Sequence, residues 1–164
     1  MLSNGLATSL PYGPAIGVTL CLGVILSLIA VIDIKTLRIP DVLSLPLIFG
    51  GLALAVAMPD AAAWDHVIGA GLAFALFAGL GEAYFRLRAV DGLGLGDAKL
   101  FAAAGAWLGW QNLPLVLLIA TMGGLAQVLL RRSTTRDTAL AFGPWIAFGF
   151  WAVWIWLAYG RVAM

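Results

Sequence analysis

The sequence predicts an all-α membrane protein, a bundle of about six transmembrane helices with the N- and C-termini outside. Three observations carry that prediction. The 164-residue chain is 63% hydrophobic and 10% charged, whereas a water-soluble domain carries about 25% charged residues. A chain so poor in polar surface needs lipid as its solvent. Its apolar residues fall into stretches near the roughly 20 residues a helix needs to cross hydrocarbon. Its basic residues return at every second break between those stretches.

The stretches run over Ala15–Ile32, Val42–Met58, Val67–Phe85, Ala98–Trp110, Leu113–Leu130 and Ala141–Tyr159. No Lys or Arg precedes Lys35, so the first stretch lacks the basic flank of a cleavable signal peptide and is expected to be a resident span. The second and third open behind "RIPD" at 38–41 and "MPDAAAWD" at 58–65, both rich in turn formers. The fourth and shortest follows "DGLGLGD" at 91–97; "WQNLP" at 110–114 and "RRSTTRD" at 131–137 bound the fifth. Strands are excluded as spanning elements, because an open sheet edge leaves backbone groups unpaired in hydrocarbon and no alternating segments are visible. Residues 1–164 read as a single integral-membrane domain without repeats or linkers. The lone cysteine, Cys21, excludes an internal disulfide and a CxxC zinc site.

Lys35 and Arg38 follow the first span, Arg86, Arg88 and Lys99 flank the loop after the third, and Arg131, Arg132 and Arg136 follow the fifth. Only Arg161 lies elsewhere. Because positive loops stay in the cytoplasm, these three loops are assigned to the cytosolic face. The basic ring there holds lipid headgroups or steers a substrate. Trp107, Trp110, Trp145, Trp151, Trp154 and Trp156 lie toward span ends and are expected to be interfacial anchors. His66 is expected at the outer surface. Small-residue faces at Gly69, Ala73, Gly79 and Ala102–Ala106 pack either the protein's own helices or an apolar substrate helix.

The few acids are weighed one by one. Asp60 and Asp65 read as a solvated turn and a helix cap, Asp91 as a turn residue, Asp137 as a loose pair or cap, and Asp41 as the cap of the second span. Glu82 lies one turn from Arg86 and pairs with it, or takes part in chemistry as intramembrane acids do. Two acids remain: Asp33 in "AVIDIKTLRIPD" and Asp97 in "GLGLGDAKL". With two spans between them, both reach the same membrane face. Two carboxyls at one depth in a low dielectric can share a proton, one activating water while the other polarises a carbonyl. Helix polarity favours ionised Asp97 at an N-terminus and protonated Asp33 at a C-terminus, which assigns Asp97 as the initial base and Asp33 as the acid. Gly92, Gly94 and Gly96 are expected to take positive φ and to admit an extended chain close to the backbone.

"DIKTLRIPDVLSLPLIFGGL" at 33–52, "GLGLGDAKLFAAAGAWLGWQNLP" at 92–114 and "AFGPWIAFGFW" at 141–151 together resemble the type IV prepilin peptidases, membrane aspartic peptidases of the GxGD type. The resemblance implies that Asp33 and Asp97 are the catalytic pair and that Gly94 and Gly96 are the glycines of GxGD. It gives Lys35, Pro40, Asp41 and Lys99 supporting roles. It further implies cleavage of the leader from type IV prepilins or pilin-like precursors at the cytoplasmic face of the bacterial inner membrane, after a Gly. No cofactor, metal or nucleic-acid partner is expected. Longer members carry an N-terminal region with paired CxxC motifs linked to N-methylation. The resemblance therefore implies peptidase activity without methyltransferase activity. Position 41 is Asp where many members have Asn, and little effect is expected. The alternatives are a small proton-coupled transporter using Asp33, Glu82 and Asp97, a non-catalytic scaffold of a secretion apparatus, or a GxGD peptidase of preflagellins or signal-peptide remnants.

Overall fold

The computed structural model describes residues 6–9, 12–58, 62–88, 94–130 and 141–160. These form seven α-helices and no strand: α1 (Leu6–Ser9), α2 (Tyr12–Thr36), α3 (Asp41–Ala57), α4 (Ala63–Arg88), α5 (Leu95–Leu108), α6 (Leu113–Leu130) and α7 (Gly143–Tyr159), with a 3₁₀ turn at Trp110–Asn112. Each apolar stretch of the sequence is one helix, α2 to α7. The four-residue α1 had no signal in the pattern. Three segments, Ala15–Thr36, Ala63–Leu87 and Trp110–Leu130, are long and apolar enough to cross a membrane; α3 and α7 are shorter apolar helices.

The arrangement turns on α5. Its 14 residues reach only about 21 Å at 1.5 Å per residue, short of a hydrocarbon core of about 30 Å. It is enclosed instead, packed mainly by α4 and α3 and also by α7. Ala98, Leu100, Phe101, Ala102, Ala103, Ala104, Ala106 and Leu108 are all buried. Alanine and glycine keep this helix thin, so its neighbours approach closely. The contact is tightest at Gly69 of α4, where a Cβ would lie 2.6 Å from the Gly105 carbonyl oxygen, and a Cβ on Gly105 would strike the Gly69 backbone. Phe77 and Phe101 continue the interface, with ring centroids 4.4 Å apart. Gly69, Ala73 and Ala102–Ala106 thus pack the protein's own helices, whereas Gly79 faces open space.

Two expectations at the end of the bundle opposite Asp97 are corrected. His66 is buried, with Nδ1 3.0 Å from the Ala106 carbonyl oxygen. The backbone contact of Gly69 with Gly105 draws the first turn of α4 over α5 and encloses the imidazole. Asp65 is no solvated cap: its carboxylate accepts Trp110 Nε1 at 3.1 Å and Gln111 Nε2 at 2.7 Å. The tryptophans divide. Trp110 and Trp156 are exposed as anchors are, but Trp154 is fully buried edge-on to Trp107, centroids 5.4 Å apart. Their indole N–H groups donate to Leu47 O at 2.7 Å from Trp107 and to Thr19 Oγ1 at 2.9 Å from Trp154. A buried indole needs an internal acceptor, and these two found theirs.

Opening the Gly69–Gly105 contact has a calculable cost. Gly105→Val forces the two backbones apart and should destabilise the protein by about 3 kcal/mol or more. Gly79→Ala adds a methyl in free space and should be neutral or stabilising by up to about 1 kcal/mol. Thermal unfolding of the two variants in the same detergent distinguishes these outcomes.

Candidate active site

The site forms where α2 ends and α3, α5 and α7 begin. α2 stops at Leu37, whose φ is 52° and whose N–H donates to the Asp33 carbonyl at 2.8 Å. Glycine usually fills this left-handed stop, and a leucine there costs about 1–2 kcal/mol. The stop turns the chain sharply, one helical turn beyond Asp33. Ile39 follows, then Pro40 at the N-cap of α3, its carbonyl accepting the N–H groups of Leu43 at 3.1 Å and Ser44 at 3.2 Å.

Asp33 is buried at 5% exposure, and its Oδ2 accepts the backbone N–H of Gly143 at 3.1 Å. Gly143 is the first residue of α7, whose N-cap, Phe142, offers no side-chain bond. Asp33 therefore satisfies an N–H that the helix start leaves free. Side-chain volume at Gly143 is precluded: a Cβ there would lie 2.7 Å from Asp33 Oδ2 and 3.1 Å from Ile39 Cδ1. On the other side a Cβ on Gly96 would lie 3.0 Å from Ile39 Cβ. Ile39 is thus wedged between the starts of α5 and α7, and the two glycines let both helices close on it.

Asp97 is half-buried in the first turn of α5, outside the three long spans. Burial, and then the charge of Asp33, push its carboxyl up from 3.8 to about 7. The two acids, from separate helices, therefore act on one another. Desolvation and the like charge of Asp33 act on Asp97 against the N-terminal dipole, which is worth only fractions of a kcal/mol when exposed. The expected positive φ is also absent at two glycines. Gly94 is extended, φ −71° and ψ 142°, at the N-cap of α5, and Gly96 lies within the helix. Gly96 serves by its lack of volume, and a Cβ on Gly94 would find no atom nearer than 3.9 Å.

The other sequence-predicted residues separate. Asp41 does not cap α3, because Pro40 holds that position. Its Oδ1 instead accepts Lys99 Nζ at 2.6 Å. Glu82 is exposed and pairs with Arg86 at 2.7 Å, one turn on, so its carboxylate is engaged away from the acid pair. Lys35 is exposed in the last turn of α2. Asp60, Asp91, Gly92, Arg131, Arg132, Arg136, Asp137 and Arg161 fall outside the described residues. Sequence reasoning missed Ile39 and Gly143 as site residues; the only trace was their place within "RIPD" and "AFGP". Chemically, the arrangement offers a buried carboxyl with one oxygen held by an amide and a second carboxyl that carries a proton near neutrality. Such a pair suits water activation against a carbonyl.

Residues 20–129 match the model of the type IV leader peptidase family. The prepilin leader peptidase/N-methyltransferase of Dickeya chrysanthemi is 43% identical over 80% of this chain and 47% of its own length. The protein of the same name from Aeromonas hydrophila is 35% identical over 95% of the chain and 55% of its own. That from Escherichia coli K12 is 40% identical over 74% of the chain and 55% of its own. The chain spans about half the length of the curated relatives it matches. No solved structure matches it.

The raised carboxyl of Asp97 links stability to pH. An acid at 3.8 when unfolded and about 7 when folded lends stability that is fully present below the lower value and is lost as pH rises to the higher. Melting temperature should fall from pH 4 to pH 7, and Asp97→Asn should remove that part of the slope while raising stability at pH 7.

Proposed function

The chain belongs to the type IV leader peptidase family, and on that premise we propose that it is an aspartic endopeptidase with Asp33 and Asp97 as its catalytic pair. Its substrates are type IV prepilins or pilin-like precursors, from which it cuts the leader. It works as a multi-pass protein of the bacterial inner membrane with its acid pair at the cytoplasmic face and its termini outside. The observation that supports the reading is geometric: Ile39 packs against both Gly96, beside Asp97, and Gly143, whose amide holds Asp33, so two acids from separate helices stand at one end of the bundle. Lys35, Arg38, Arg86 and Lys99 belong to the same end of the bundle, and positive residues favour the cytosol.

In the proposed reaction one proton is shared by the pair and rests on Asp97. Asp33, with Oδ2 held by the Gly143 amide, accepts a proton from water on its other oxygen. The water oxygen attacks the scissile carbonyl carbon as Asp97 gives its proton to the carbonyl oxygen. The resulting diol collapses: the C–N bond breaks, the leaving nitrogen takes the proton from Asp33, and a diol hydroxyl returns its proton to Asp97. The products are a carboxylic acid and an amine, and the pair is restored. The small-residue faces at Gly69, Ala73 and Ala102–Ala106 are occupied within the bundle, so the precursor's apolar segment lies in another place. An apolar groove of about 280 Å³ between α2 and α3, lined by Val18, Cys21, Leu43, Pro46, Gly50 and Trp107, suits it.

Co-expression with a prepilin should give a leader-sized mobility shift that Asp33→Asn and Asp97→Asn each abolish; cleavage that survives either change refutes the pair. A scaffold would still assemble pili with either variant. The cleavage rate should decline as pH rises through about 7, where Asp97 loses its proton, and a pH–rate profile in detergent checks this.

A further inference from the structure

Asp41 and Lys99 take no part in the reaction proposed above, yet they join the first turns of α3 and α5 at 2.6 Å. Their placement gives the contact leverage. Asp97 and Lys99 are two residues apart, and at about 100° per residue their side chains leave α5 on nearly opposite faces. Lys99 reaches α3, so Asp97 leaves α5 on the face away from α3. A pull on Lys99 therefore rotates the first turn of α5 about its axis and aims the Asp97 carboxyl. The rest of that turn is held by apolar packing, with Ala98 and Leu100 buried, and Lys99 makes its polar link to α3. Gly94 at the N-cap of α5 makes no side-chain bond, and Gly96 adds only its contact with Ile39.

The pair is partly exposed, 25% for the Lys99 side chain and 56% for that of Asp41. Ion pairs of that kind add little to global stability, which points to orientation rather than strength. The pair also has an electrostatic consequence. Among the residues whose side chains are described, the charged groups at this end are Asp33, Lys35 and Arg38 on α2 and its link, Asp41 on α3, Glu82 and Arg86 on α4, and Asp97 and Lys99 on α5; residues 113–130 and 141–160, which hold α6 and α7, contain no charged side chain. Glu82 and Arg86 neutralise each other. Lys99 is the cation nearest to Asp97 in the chain, and Asp41 occupies its ammonium. A free ammonium there would favour ionised Asp97 and strip the pair of its shared proton.

We propose that the Asp41–Lys99 ion pair is a positioning device, which sets the rotation of the first turn of α5 and so the aim of Asp97 at Asp33, and keeps the Lys99 charge off the acid pair. The proposal rests on the peptidase reading and extends it to two residues that do not touch the reacting atoms.

The test is steady-state cleavage of a purified prepilin with an intact leader by the full chain in detergent. Asp41→Ala and Lys99→Ala should each lower kcat by about ten-fold or more, with KM within about two-fold. The charge swap Asp41→Lys/Lys99→Asp should recover most of that loss. Asp41→Asn preserves shape but leaves Lys99 unneutralised, so the Asp/Asn difference at this position, given little weight on sequence alone, is expected to matter in this chain. That variant and Asp41→Ala should move the alkaline limb of kcat to lower pH by about half a unit or more, and Lys99→Ala should not. Unchanged kcat and limb in Asp41→Asn and Lys99→Ala, or a swap no better than the single variants, overturns the proposal even if Asp41→Ala does not fold. A wild-type chain that leaves the precursor uncut is a different result: it overturns the peptidase reading itself, and this device with it.

Discussion

The approach of α5 to its neighbours governs everything at the site. A helix of 14 residues cannot cross hydrocarbon alone, and α5 is enclosed by α4, α3 and α7. Wrapping it closely demands that its surface be thin, and its alanines and Gly105 supply this. With Gly69 set against Gly105, backbone meets backbone across α4 and α5. That contact fixes how far α5 slides along the bundle, and hence the height at which its first turn, with Asp97, meets the end of α2.

The site end obeys the same steric logic with different actors. Ile39 occupies the space between Gly96 and Gly143, and any side chain at either glycine would meet it. One isoleucine thereby ties the α2–α3 link to the starts of α5 and α7. Asp33 satisfies the open N-terminus of α7 through the Gly143 amide, so a group needed for chemistry also closes a structural vacancy. The electrostatics follow from this enclosure. Removing the acids from water and setting them against each other raises Asp97 to about 7, which gives a carboxyl that holds a proton near neutrality. The helix dipole opposes this but is the weaker influence.

Lipid exposure on the outside and tight enclosure within explain the fate of the polar residues. Several polar groups that turn inward have found partners, as with His66 on Ala106, Trp107 on Leu47 and Trp154 on Thr19. Glu82, turned outward, pairs along its own helix with Arg86. Asp41 bridges two helices instead, because Pro40 took the capping position and left the carboxylate free to reach Lys99.

The sequence by itself determined the helical class, the six apolar helices to within a few residues, and the isolation of Asp33 and Asp97 as acids bound for one end of the bundle. Those features follow from local composition and chain order, since a long apolar run folds as a helix and antiparallel neighbours bring alternate breaks to the same end of the bundle. What it left open depends on which faces meet. Nothing in the pattern around His66, Trp107 or Trp154 distinguishes an inward from an outward side chain, because in lipid both faces of a helix are apolar. The partners of Asp41, the wedge at Ile39 and the amide of Gly143 lie on separate segments, and the desolvation of Asp97 depends on burial that only packing supplies. Tertiary structure decided these, because contact and desolvation arise only when distant segments are brought together.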